Sequence, residues 1–171
     1  RENSMENLEK VKEQVSLRFE NTYIAVGNHD LSEDFYIVFK NDLHIFSENK
    51  IDFIIANFST NNWQPSPEDQ DSINKYLLNS NNDTIILFSH QLFWTKLVDP
   101  EPTPNGFNLL STELDQTSID WLERKGKKLI IISGDYGMYE RFYCKHDSNS
   151  NTIFVANGIY ERNDDSFIKL N

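Results

Sequence analysis

Cysteine is almost missing. Cys144 is the only one in 171 residues, so no internal disulfide can form and no disulfide framework holds the fold. Oxidising export is neither required nor excluded, although so little cysteine leans toward a cytoplasmic chain. Basic residues are short as well, 16 Lys and Arg against 27 Asp and Glu, for a formal charge of -11. Phosphate backbones are gripped mainly through Lys and Arg. Nucleic acid is therefore not an expected partner, unless metal ions supply the positive charge locally. No apolar run approaches the roughly 20 residues needed to cross a bilayer, and no basic start with an apolar middle marks a signal peptide. The chain reads as soluble, with no membrane partner. It opens on Arg1 rather than Met, which suggests sequence upstream of this stretch.

What is present suffices for one core. With 38% hydrophobic and 13% aromatic residues over this length, one domain spanning 1–171 is expected. Leu8, Val11, Val15 and Phe19 recur at helical spacing and predict an amphipathic helix over about residues 5–20. A strand from Thr22 to Val26 follows. Further strands are expected at Tyr36–Phe39, Leu43–Phe46, Asp52–Phe58, Thr84–Ser89, Lys128–Ser133, Arg141–Lys145, Thr152–Ala156 and Ser166–Leu170, bounded by Asn, Asp, Gly and Ser clusters. Ser66, Pro67 and Asp69 read as an N-cap, an N1 proline and a capping-box acid, opening a helix that carries Ile73, Tyr76 and Leu77. Another helix is expected over about 117–125, with Gly126 as its stop. Strand–helix–strand units alternating with hairpins favour a mixed α/β sandwich over an all-β barrel. The long connection from Thr95 to about Gln116 suits either a substrate-covering lid or a surface excursion.

Three apolar stretches end on side chains able to bind or titrate. "YIAVGNHD", residues 23–30, delivers Asn28, His29 and Asp30: an amide oxygen, a titratable ring and a carboxylate on one tight turn. "TIILFSHQLFW", residues 84–94, delivers His90, and "LIIISGDYG", residues 129–137, delivers Asp135. Parallel strands that end together would bring these groups to one rim, where open α/β sheets place their sites. A lone histidine at a strand end is more commonly a hydrogen-bonded structural group, and Asp135 to Gly137 could equally be a plain turn.

Together, Gly27-Asn28-His29-Asp30, the strand ending in Ser89-His90 and the strand ending in Ser133-Gly134 resemble the later motifs of the calcineurin-like metallophosphoesterase family. The resemblance runs from about residue 5 to the end and implies the C-terminal part of such a domain. The implied fold is a β-sandwich of mixed sheets flanked by helices, lacking its N-terminal strands. It implies a metal-dependent hydrolase of phosphate mono- or diesters. In that family two divalent ions (Mn, Fe, Zn or Mg) about 3.5–4 Å apart hold the attacking water and neutralise the phosphoryl oxygens. On the matching positions Asn28 and His90 would be metal ligands, His29 the general acid on the leaving oxygen, and Asp30 the group that orients His29 and raises its pKa.

The match departs from the family in two places. The opening Asp-x-His strand and the Gly-Asp-x-x-Asp turn do not occur before residue 27, which calls for a complementing chain or upstream segment. Such a segment would cover an apolar face or edge beside the first strand. The closing Gly-His-x-His reads Gly134-Asp135-Tyr136-Gly137; Asp135 can still coordinate a hard or borderline ion, and Gly137 cannot. A phosphatase-like fold kept as a binding module is therefore the alternative, followed by a purely structural domain in which the Gly-Asn-His-Asp stretch is only a turn. Tyr136 could contact substrate or belong to the turn, Trp63 and Trp94 could line a pocket or pack in the core, and Trp121 reads as core. His44 and His146 read as structural or solvent-exposed.

Overall fold

The computed structural model describes residues 4–18, 21–27, 32–40, 43–59, 66–92, 94, 126–134, 136, 142–148 and 151–157. Helix α1 (Met5–Ser16) runs into the segment 21–27, and α2 (Glu33–Phe39) precedes the hairpin of β1 (His44–Glu48) and β2 (Ile51–Ile55). Helix α3 (Pro67–Asn79) then leads to β3 (Thr84–Ser89), followed by β4 (Lys128–Ser133), β5 (Phe142–Asp147) and β6 (Thr152–Asn157).

The strands form one six-stranded sheet in the order β1-β2-β3-β4-β6-β5. Strands β2, β3, β4 and β6 are mutually parallel, and β1 and β5 close the two sides antiparallel. The parallel strands read as near-continuous apolar runs because a parallel sheet buries both faces. On one face Ile54, Ile85, Leu87, Leu129, Ile131 and Phe154 pack against Ile73 and Leu77 of α3 and against Trp94. On the other, Ile86, Ile132 and Val155 are buried among the half-buried Phe53, Phe88, Ile130 and Ile153. The chain is thus α/β with a mixed sheet. A second sheet of a sandwich is not seen among the described residues.

Local chemistry explains the elements and their errors. Ser66 caps α3 as expected, its hydroxyl accepting from the Asp69 backbone N–H at 3.1 Å. Residues 36–39, expected as a strand, are instead the last turn of α2. The Ser32 hydroxyl accepts from Phe35 N–H at 3.1 Å, and Glu33 and Asp34 occupy the first turn, so cap and helix dipole outweigh a four-residue β-propensity signal. Phe35 and Val38, three apart, then bury one face while Ile37 stays outside. Helix α1 is shorter than its apolar period suggests and buries Leu8, with Val11 about half exposed. The expected strand at 22–26 is not one: Ile24 and Val26 pack with Leu8, Phe35 and Val38 in a small cluster under α1 and α2. The expected elements at 117–125 and 166–170, the long connection 95–116, Trp63 and Trp121 lie outside the described residues.

Candidate functional site

Because four strands run the same way, their carboxyl ends share one edge of the sheet. That edge is polar and still buried: Asn57 beyond β2, Ser89 and Gln91 at the end of β3, and Ser133 at the end of β4 are each 3% exposed or less. Buried hydroxyls and amides need partners, and here they find one another. The Asn57 Oδ1 accepts from the Ser59 backbone N–H at 2.8 Å, closing a turn after β2. Trp94 Nε1 donates to Ser133 Oγ at 2.9 Å, Ser133 and Ser89 hydroxyls stand 2.9 Å apart, and Ser89 Oγ donates to the Gln91 carbonyl at 2.9 Å. Each hydroxyl has one proton, which fixes the direction of the row. Ser89 spends its proton on Gln91, so Ser133 donates to Ser89 and accepts from Trp94.

His90 stands half-buried in this edge. The Gly134 N–H is shared between the Ser89 carbonyl at 3.2 Å and the His90 carbonyl at 3.1 Å, holding the turn after β4 against the turn after β3. A methyl placed on Gly134 would stand 3.7 Å from His90 Nδ1, so the imidazole lies over the residue that directly precedes Asp135.

The segment 21–27 is fastened to the same edge. Ser59 Oγ lies 2.9 Å from the Val26 carbonyl and 2.8 Å from the Gln91 carboxamide oxygen. Val26 is fully buried, and Gly27 is buried beside it. The chain that leads into Asn28 is therefore joined through one hydroxyl to the residue after His90.

Of the residues expected to act, His90 is placed at this edge, while Asn28, His29, Asp30 and Asp135 lie outside the described residues. Gly134, which precedes Asp135, meets the end of β3 directly, and Val26, two residues before Asn28, is joined to it through Ser59. Two residues left open between site and packing are buried. Trp94 is fully buried in the core, its ring 5.2 Å from that of Phe154 and its N–H taken by Ser133, so it does not line an open pocket. Tyr136 is 1% exposed and packs edge-on against Tyr143, which removes it as a substrate contact. The His44 ring lies tilted against that of Tyr23 with centroids 5.0 Å apart, and His146 is exposed on β5, in keeping with structural and solvent-facing roles.

Among the described residues no group of three or more His, Cys, Asp or Glu could hold a metal ion. His90 brings one imidazole, and its neighbours Ser59, Ser89, Gln91 and Ser133 are neutral oxygen and amide donors. Such a set suits a hard or borderline ion only when further oxygen ligands join it; Asn28 and Asp135, outside the described residues, are of that type.

A second buried polar centre sits at the opposite edge. Asp52 is fully buried, and its Oδ1 accepts from Ser47 Oγ at 2.7 Å, Asn82 Nδ2 at 2.7 Å and Tyr76 OH at 3.0 Å, while Oδ2 accepts from Ser80 Oγ. Burial pushes the carboxyl up, but the bonds from Ser80, Ser47, Asn82 and Tyr76 outweigh it and hold the group below its ordinary value. Burial, together with Asp52 itself, pushes the Tyr76 phenol up. This centre ties the β1–β2 hairpin to the end of α3.

No family model, curated protein or solved structure matches the chain.

Proposed function

We propose that the carboxyl edge of the sheet serves a metal-dependent hydrolase of phosphate mono- or diesters, in the C-terminal part of a domain like the calcineurin-like metallophosphoesterases. The observation that carries the reading is the junction of Val26, Ser59 and Gln91 beside the His90–Gly134 contact. It supports a shared site for the segment ending in Gly27-Asn28-His29-Asp30 and the ends of β3 and β4.

Asn28, His90 and Asp135 would hold a divalent ion here, with a second ion in the complete domain. The bound ions would supply charge neutralisation at the phosphoryl oxygens and an activated water. The protein's own residues do the rest. His29 gives a proton to the leaving oxygen, and Asp30 accepts from its ring, which favours the imidazolium and sets the tautomer. Carboxylates for the other ion would come from a complementing chain or upstream segment. An apolar cleft of about 250 Å³ between Tyr23, Ala25, Phe46, Phe53, Ile55 and Phe88 lies beside the segment that such a piece would adjoin.

A second reading rests on Gly137, which stands where the resemblance places a ligating histidine: the fold is kept as a phosphate-binding module without turnover. An aryl phosphate assay with Mn²⁺ on the full natural polypeptide separates the two. On the hydrolase reading, His29→Ala lowers turnover by about 10²- to 10⁴-fold with metal content unchanged, and His90→Ala lowers metal content. Equal activity in the wild type and both variants sinks it; phosphate binding without turnover leaves the binding module.

A further inference from the structure

We infer that Ser59 and Gln91 are positioning residues that fix the peptide unit between Val26 and Gly27 to the end of β3; the inference rests on the hydrolase reading for the role of the Gly27-Asn28-His29-Asp30 sequence that this unit leads into. It starts from a conflict at one oxygen. Ser59 Oγ faces two acceptors, the Val26 carbonyl at 2.9 Å and Gln91 Oε1 at 2.8 Å, and a hydroxyl has a single proton to give. Meanwhile Gln91 Nε2, on a side chain 3% exposed, is a buried donor with no partner.

Both difficulties have one answer. A half-turn of the carboxamide exchanges its nitrogen and oxygen, which have the same shape and differ only in hydrogen bonding. Gln91 Nε2 then donates to Ser59 Oγ, and Ser59 gives its only proton to Val26. The atom left without a partner becomes an acceptor, which folded proteins tolerate better than an orphaned N–H.

In that orientation the two polar rows join. Trp94 N–H, Ser133, Ser89 and the Gln91 carbonyl form the first, each group donating to the next. Gln91 Nε2, Ser59 and the Val26 carbonyl form the second. Gln91 ends one with its backbone and begins the other with its side chain. The ends of β3 and β4 are thereby linked to the peptide unit between Val26 and Gly27, one residue before Asn28. Residues 21–27 are not assigned to a strand, and the Ser59 hydroxyl ties their Val26 carbonyl to the sheet edge. Gln91 keeps the hydroxyl pointed, since an acceptor at its position would draw the proton away from Val26.

The test reads the bond itself and then its consequence. Loss of a hydrogen bond to a carbonyl moves its carbon-13 resonance upfield, so the Val26 carbonyl shift is followed in Ser59→Ala, Ser59→Thr, Gln91→Met and the Ser59→Ala/Gln91→Met double variant. The same proteins are titrated with Mn²⁺. Ser59→Ala should move the Val26 resonance upfield and weaken Mn²⁺ binding about tenfold or more, as loss of an outer-shell partner does. Ser59→Thr, which keeps the hydroxyl, should restore both. Gln91→Met should have a smaller effect of the same sign, and the double variant should match Ser59→Ala, since Gln91 acts only through Ser59. A Val26 resonance unmoved in Ser59→Ala, or additive effects in the double variant, overturns the inference. So does a moved resonance with unchanged Mn²⁺ affinity. A wild type that takes up no Mn²⁺ while the Val26 resonance behaves as expected overturns the hydrolase reading instead, leaving the Ser59 bond as a feature of the fold alone.

Discussion

The hydroxyls of Ser89 and Ser133 face each other at 2.9 Å across the last register pair of β3 and β4. Both are buried, and Trp94 closes the row from the core side. Ser133→Ala removes the acceptor of Trp94 Nε1 and leaves a buried indole N–H unpaired, at a cost of about 1–3 kcal/mol. Trp94→Phe in the same background should recover part of this loss, because the orphaned donor goes with the ring. Urea unfolding of the two singles and the double gives the coupling; fully additive losses would mean that the bond contributes nothing.

Asp52 makes a prediction about acid. Its folded pKa lies below the unfolded value of about 3.9, so its contribution is complete above roughly pH 4 and is lost as pH falls through the folded value. Asp52→Asn should cost about 2 kcal/mol at neutral pH, where charged acceptors hold their donors best. The gap between variant and wild type should close on acidification. Urea midpoints from neutral to strongly acidic pH check this; a constant gap would contradict it.

The β1–β2 hairpin turns on Asn49 and Lys50, with φ of 51° and 64°. A two-residue turn with both residues in the left-handed region is type I′, for which Asn-Gly is preferred. Asn49 suits it and Lys50 does not, because its Cβ crowds the backbone there. Lys50→Gly should therefore stabilise the protein by up to about 1 kcal/mol, raising Tm by about 2–4 °C for a chain of this size. A lower Tm would show that the Lys50 side chain makes a compensating contact.

Strands β3 and β4 were legible to the residue, because a parallel strand buried on both faces is an unbroken apolar run with polar punctuation at each end. Helix α3 was legible from Ser66, Pro67 and Asp69 alone. Helix α2 was not. Its seven residues are too few for a helical period to stand out, and Tyr36 to Phe39 is as good a strand by composition; only Ser32 with two acids after it marks the start. Segment 22–26 fails for the opposite reason, since a strand needs a partner and no local pattern states whether one is there.

At the site, His90 was legible as the polar end of an apolar strand. Ser59 and Gln91 were not, although they carry the junction to Val26. Their partners lie 33 and 32 residues from Ser59 in the chain, and a lone Ser or Gln near a strand end is ordinary. The one sequence signal was the set of neutral polar residues at the ends of three apolar strands, Asn57 and Ser59, Ser89 and Gln91, and Ser133. For Trp94 and Tyr136 the sequence left site and packing roles open. Large aromatic rings after a strand can reach back under the sheet, and both do so here.

The central claim, a divalent-ion site at the carboxyl edge, is tested most directly by Mn²⁺ binding to the purified chain, followed by electron paramagnetic resonance. Wild type is compared with Asn28→Ala, His90→Ala, Asp135→Ala and, as a control on the exposed face of β5, His146→Ala. Saturable binding in the wild type, weakened about tenfold or more by each of the first three substitutions and unchanged by His146→Ala, is the predicted result. No saturable binding, or equal affinity in all five proteins, would contradict it.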